Sequence, residues 1–168
     1  MNGSKILAVD PGRSSLGVAV FEGAALRYYA IKVLRVPGTP ADVYHAAARV
    51  LRSLIVMFQP THMVIEQPLI VQQRAVLLSH VISALKTTAK RHSLTVSEFA
   101  PLEVRRFVCT DTKPTKLEIA RRLAECYPEL NSYVKSPSKW KRKYYERMFG
   151  AIAVGFMSHA QLVQETMP

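Results

Sequence analysis

Two carboxylates stand at the ends of two short apolar runs, and that setting makes them candidates for chemistry. Asp10 closes the run ILAVD and is followed by Pro11, Gly12 and Arg13; Glu66 closes the run MVIE and is followed by Gln67 and Pro68. A short apolar run bounded by Pro and Gly reads as a buried strand. A carboxylate at the end of such a strand is costly unless a counter-charge or a metal meets it. If the two strands are parallel neighbours, both acids reach the same sheet edge. There they repel unless one is protonated or a cation sits between them, which is the setting of a hard divalent ion. The competing reading of Asp10 is a turn cap, since Asp before Pro-Gly is common in ordinary turns. Its expected pairing with Glu66 makes the cap the weaker of the two.

The elements that must position these acids follow from the same kind of pattern. Residues 6–20 carry two strands around the polar turn, and Glu22-Gly23 predicts a tight turn into a third strand over 26–36. Three strands joined by short turns form an antiparallel meander. Thr39, Pro40 and Asp42 are a cap, a first-position proline and a first-turn acid, and they open a helix that runs to Phe58. The strand 62–67 is followed by a long helix over 72–92, a fifth strand over 94–99 and a short helical turn at Pro101–Val108. A helix over 115–126, an irregular stretch over 128–140 and a last helix over 141–163 complete the chain. The order predicts an α/β fold: a mixed five-stranded sheet with helices on both faces, in one domain spanning 1–168.

Composition narrows the partner. The 168 residues carry a formal charge of +11 with a pI near 10, which points to a polyanion and most simply to nucleic acid. Half the residues are apolar, so a packed core is expected and a disordered tail is excluded. No run is long enough to cross a membrane and no signal segment is visible, so a cytoplasmic location and no membrane partner are expected. Cys109 and Cys126 lack metal-like spacing and read as packing thiols of a reducing compartment. The five histidines likewise have no ligand spacing between them.

The basic residues cluster. KSPSKWKRKYYER places Lys139, Lys141, Arg142 and Lys143 around Trp140, Tyr144 and Tyr145. This reads either as a phosphate-binding edge with rings packing on sugars or bases, or as a solvated face whose rings anchor the helix. The net charge favours DNA contact for the lysines. Arg105, Lys113 and Lys116 surround the loop expected to border the acidic edge, Arg13 follows Asp10 by three residues, and Arg74 follows the Glu66 strand.

Taken in order, these stretches resemble the RuvC family of Holliday-junction endonucleases, within the RNase H-like fold. ILAVDPGRSSLGVAV is similar to that family's opening strand, Asp-Pro-Gly turn and Gly-containing second strand. MVIEQ is similar to its fourth strand, PLEVRRFVCTDTKPTKLEI to its loop and Lys-bearing helix start, and AIAVGFMSHA to its Ala-rich last helix. The resemblance implies a magnesium-dependent nuclease, with Mn2+ as a possible substitute. It resolves four-way DNA junctions by paired nicks and acts on branched DNA as a homodimer. It also implies that Asp10 bridges two ions, that Glu66 holds one, and that Lys116 is the helix-start lysine. The helix with Val76, Leu77, Val81 and Leu85 resembles the dimer-forming one.

The last helix departs from the pattern. Arg147 and Gly150 stand where the resemblance implies acidic ligands, and neither side chain can bind magnesium. Glu146, one residue and about a quarter turn away, is the nearest acid and the candidate third ligand. Asp111 is a more distant one. The alternative to a nuclease is therefore a catalytically silent relative that binds branched DNA without cutting it. An actin-like or sugar-kinase ATPase, which holds phosphates on a similar turn, needs a second large domain, so no nucleotide cofactor is expected.

Overall fold

The computed structural model describes residues 4–35, 38–68, 75–110, 113–136 and 138–166. Strands β1 (Lys5–Pro11), β2 (Ser15–Glu22) and β3 (Ala25–Val33) form the antiparallel meander, and Gly23 takes the left-handed turn position at φ 57°. β4 (His62–Glu66) and β5 (Thr95–Phe99) extend the sheet in parallel, giving the order β3-β2-β1-β4-β5. The expected mixed sheet is present, and β1 is flanked by β2 on one side and β4 on the other.

Helix α1 (Pro40–Phe58) joins β3 to β4, and α2 (Ala75–Arg91) precedes β5. The Thr39 hydroxyl accepts the Asp42 N–H at 3.2 Å, and Gln59 ends α1 in the left-handed region at φ 50°. Helices α3 (Pro101–Val108), α4 (Lys116–Cys126), α5 (Asn131–Val134) and α6 (Lys139–Thr166) follow. α4 is held at its start by Thr115 and Glu118, which exchange backbone bonds across its first turn.

Strand alternation splits the core in two. Leu7, Val9, Val18, Val20, Met63 and Ile65 face α1 and α2; Ile6, Ala8, Ala19, Phe21 and Val64 face α3, α4 and α6. Helix α6 lies close on β1 and β2, and small residues permit it. A Cβ at Gly17 of β2 would collide with the Arg147 backbone carbonyl, and one at Gly155 of α6 would enter the Phe21 ring. Among the described residues no helix is long and apolar enough to cross a membrane.

Several expected boundaries shift. β3 stops at Val33, because the Leu34 N–H donates to the Ser14 carbonyl at 2.8 Å and its side chain turns into the core. The stretch 128–140 is not irregular throughout. It holds a 3-10 turn at Pro128–Leu130 and the one-turn α5, drawn in by fully buried Leu130 and by Tyr133 against Tyr29. α6 begins at Lys139 and runs to Thr166, longer than its apolar stripe predicted, and Pro101–Val108 is two turns long. The predicted start of α2, with Arg74, lies outside the described residues, as does Asp111.

Candidate active site at the ends of β1 and β4

Asp10 and Glu66 meet by register. Val9 pairs with Ile65 across the parallel β1–β4 ladder, so the next residues of the two strands lie level at the sheet's carboxyl edge. Alternation then decides the face. Ala8 and Val64 point toward α6, so Asp10 and Glu66, two residues on, do the same. Both line a cavity of about 420 Å³ with Arg105, Lys116, Lys143, Glu146, Arg147 and Gly150. The gap that receives them is made by α6. A Cβ built on Gly150 would collide with Asp10 Oδ2 and lie 3.2 Å from Glu66 Oε2, so both carboxylates converge on the space a side chain there would take.

The electrostatics are those of acids held together out of water. Asp10 is pushed up to about 7 from its ordinary 3.8, by burial first and by Glu66 second, with Arg147 and Lys116 opposing. Glu66 is also raised by burial, opposed by Arg105, Lys116 and Arg147. A carboxylate pair raised by burial and mutual repulsion in a cleft is a functional-site candidate.

The cations are arranged in two ways. Arg147 reaches Asp10 directly: its Nη1 lies 3.3 Å from Asp10 Oδ1 and donates to the Pro11 carbonyl at 3.1 Å. Lys116, the first residue of α4, instead donates to Glu146 Oε2 at 2.8 Å. Glu146 thus borders the cavity, but as the partner of a lysine. Among the described residues no three His, Cys, Asp or Glu side chains gather into a metal-holding group, so the expected trio of Asp10, Glu66 and Glu146 is not assembled. The physical reason is the helical quarter turn: Arg147, not Glu146, is on the face of α6 that meets Asp10.

The other basic residues named from sequence fall into two sets. Arg105 is half-buried at the cavity and Lys143 lines it, whereas Arg13 and Lys113 are exposed in loops. Lys139, Lys141, Arg142 and Lys143 are all exposed on the first turns of α6. Lys139, Arg142 and Lys143 also edge a second cavity of about 310 Å³, which shares Lys116, Glu146 and Phe149 with the first. The rings divide as well. Tyr145 packs edge-on to Tyr133 beside the core, while Trp140 is 71% exposed and stacks on Tyr144 with centroids 5.8 Å apart.

The family model described as crossover junction endodeoxyribonuclease RuvC matches residues 6–126. The chain belongs to the RuvC family. The match takes in every strand and helices α1 to α4 and stops before α6, the helix that carries Arg147 and Gly150. Two solved structures share the RuvC-type fold. The Thermus thermophilus RuvC in complex with a Holliday junction substrate is 18% identical at a TM-score of 0.72, over 97% of this chain and 96% of that one. The yeast mitochondrial Holliday junction resolvase Ydc2 is 12% identical at a TM-score of 0.73, over 98% of this chain and 82% of that one. No curated protein matches the sequence.

What sequence reading missed is the role of Arg147. It was visible as a basic residue where an acid is expected, and Gly12 was the second signal. A Cβ on Gly12 would lie 2.5 Å from Arg147 Nε and 2.8 Å from the Ser15 carbonyl, so the guanidinium packs directly on the turn after Asp10.

Proposed function

We propose that this chain is a divalent-metal-dependent endonuclease that acts on four-way DNA junctions. The observation that carries the reading is the buried Asp10–Glu66 pair converging on the space beside Gly150, in a cavity rimmed by Arg105, Lys116 and Lys143. Two-fold assembly through α2 and paired nicks on opposed strands belong to the same proposal. Val81 and Leu85 of α2 are buried within one chain against α1 and the sheet, so a dimer contact would use other α2 residues, such as the exposed Val76.

The donor set fits magnesium. Two carboxylates facing one gap suit a hard ion that keeps most of its waters and takes one or two protein carboxylates. Asp10 Oδ2 and Glu66 Oε2 would hold it. When bound, the ion supplies charge stabilisation at a phosphate oxygen and lowers the pKa of the attacking water. The chain's own residues do the rest. Burial of the two acids raises their affinity for any cation, since each carboxylate is poorly solvated. Arg105, Lys116 and Lys143 set a positive rim that draws a phosphodiester toward the acids. Lys139, Lys141 and Arg142 continue that rim outward along α6, where a DNA strand leaving the site would run.

The silent-binder alternative has one specific observation in its favour, the hydrogen-bonded Arg147 on Asp10. Cleavage of a labelled four-way junction with Mg2+ or Mn2+ separates the two. Product formed by the native chain and lost in Asp10→Asn and Glu66→Gln supports the nuclease. Binding that falls steeply with salt but yields no product supports the binder.

A further inference from the structure

We propose that the Arg147 guanidinium is a built-in cation occupying the Oδ1 side of Asp10, so that the site takes up one divalent ion and excludes a second. The inference rests on the nuclease reading only in taking Asp10 and Glu66 as ligands.

Two ions held about 3.5–4 Å apart repel each other, and a carboxylate shared between them offsets that repulsion. Asp10 is the residue placed to be shared, with one oxygen toward Gly150 and Glu66 and the other toward Arg147. The second oxygen is engaged by Nη1 at 3.3 Å.

One hydrogen bond holds the guanidinium there and two glycines leave room for it. Nη1 also donates to the Pro11 carbonyl, a backbone atom that cannot swing away. A Cβ at Gly12 would meet Arg147 Nε and Cζ at 2.5 and 2.6 Å and the Ser15 carbonyl at 2.8 Å, so the bare glycine leaves the guanidinium its place on the turn. Gly17 lets the Arg147 backbone rest directly on β2, so the side chain starts from a fixed point. An arginine that merely wandered to the nearest acid would need none of these. Its side chain is 43% exposed against 17% for Asp10, so one edge still faces the cavity. Among the described residues both of its hydrogen bonds leave from Nη1, which leaves Nη2 to donate to a phosphate.

Charge balance agrees. Two carboxylates, one guanidinium and one divalent ion leave a net single positive charge for an incoming phosphodiester. A second divalent ion would stand against the guanidinium in a poorly solvated site, where like charges repel strongly. Gly150 brings no carboxylate to offset that extra charge, and Glu146, the other acid on the cavity, is already engaged by Lys116.

The test counts Mn2+ ions bound per chain, without DNA, from the free-ion spin-resonance signal. The native chain and Arg147→Lys are expected to take up one ion each. Arg147→Gln is expected to bind that ion at least about fivefold more tightly, because a neighbouring positive charge is gone. Gly150→Asp alone is expected to remain at one ion, and the Arg147→Gln/Gly150→Asp double variant to reach two. Two ions on the native chain, none at all, or identical counts and affinities with and without Arg147 would each overturn the proposal. Circular dichroism of each variant separates a lost site from a lost fold. A native chain that binds one ion yet does not cut a junction would leave this inference standing and defeat the nuclease reading.

Discussion

The two faces of the sheet are built from alternate residues of the same strands, yet they do different things. On the α1 and α2 face, Leu7, Val9, Met63 and Ile65 meet Leu51, Leu54, Val81 and Leu85, a dry apolar layer. Thr88 is the only buried polar residue in those two helices. On the α6 face, the same strands present Ile6, Ala8 and Val64 and then, one step further, Asp10 and Glu66. The first face is closed by large side chains. The second is closed by a helix whose small residues bring its backbone against the sheet. The difference teaches that the site is a departure from core packing confined to one strand end, sustained by glycines rather than by extra structure.

The largest effects should come from breaking each face in its own way. Leu51→Ala opens a cavity in the dry layer and is expected to cost about 2–5 kcal/mol. Mn2+ binding per folded molecule should be unchanged. Gly17→Ala drives a methyl into the Arg147 backbone, which has no side-chain end that can yield, and is expected to cost about 3 kcal/mol or more. Here Mn2+ binding should weaken as well, because α6 carries both Arg147 and Gly150. Urea unfolding with parallel metal titration measures both. Equal metal affinity in the two variants would mean that the seating of α6 on β2 does not shape the site.

A second contrast lies in pH. Asp10 stays protonated up to about 7 in the folded chain, whereas its ordinary value is 3.8. Between those values the folded state holds a proton that the unfolded state has released, so this group's contribution to stability falls as pH rises through the window. Asp10→Asn should flatten that slope. Above pH 7 it should raise the stability of the metal-free chain by up to about 4 kcal/mol, a ceiling set by about 1.4 kcal/mol per pKa unit. Thermal melts from pH 4 to 8 would show it. A variant with the native pH slope would place the titration elsewhere. No comparable slope should come from the α1 and α2 face, which buries no acid or base among the described residues.

Much of this was legible in the sequence because the signals were local. The Pro-Gly and Gln-Pro breaks, the Thr39 cap and the period-two runs fixed the strands and α1 within a few residues. The pairing of two strand-end carboxylates followed from element order alone. The partner of Asp10 was not legible, since it depends on which face of α6 meets the sheet. That phase is set by Gly17 against the Arg147 backbone and by Gly155 against the Phe21 ring, tertiary contacts that bring Arg147 to Asp10 across 137 residues of chain. The short helical pieces in 128–140 were missed for a related reason. Their sequence has weak periodicity, and they are ordered by the burial of Leu130 and the Tyr133 contacts.

Gly150→Ala tests the glycine at the site itself. An alanine in mid-helix gains about 1 kcal/mol of propensity over glycine, while its methyl meets Asp10 Oδ2, the far end of a side chain that can turn aside. The two effects nearly offset, so unfolding free energy should change by less than about 1 kcal/mol. Metal affinity should drop, because Asp10 must leave the orientation in which it shares the gap with Glu66. A large loss of stability would mean that Asp10 is locked in place by Arg147 and Pro11 more firmly than its hydrogen bonds imply.

The smallest effect expected on stability distinguishes two rings of one helix. Trp140 is exposed and touches Tyr144 in a near-parallel stack, interplanar angle 16°, while Tyr145 is wedged edge-on between Tyr133 and Tyr144. If the start of α6 is a DNA-contacting edge, Trp140→Ala should leave stability within about 0.5 kcal/mol of native, as surface changes usually do. It should weaken branched-DNA binding by about 1–3 kcal/mol, the worth of a base or sugar stacked on a ring. Tyr145→Ala should show the reverse ordering, with stability reduced first. Measured at two salt concentrations, the Trp140→Ala loss should be nearly constant, because stacking releases no counterions. Removing Arg142 or Lys143 should instead flatten the salt response itself. A Trp140→Ala variant that binds DNA as the native chain does would reduce this edge to its charges, and the exposed ring would then have no part in recognition.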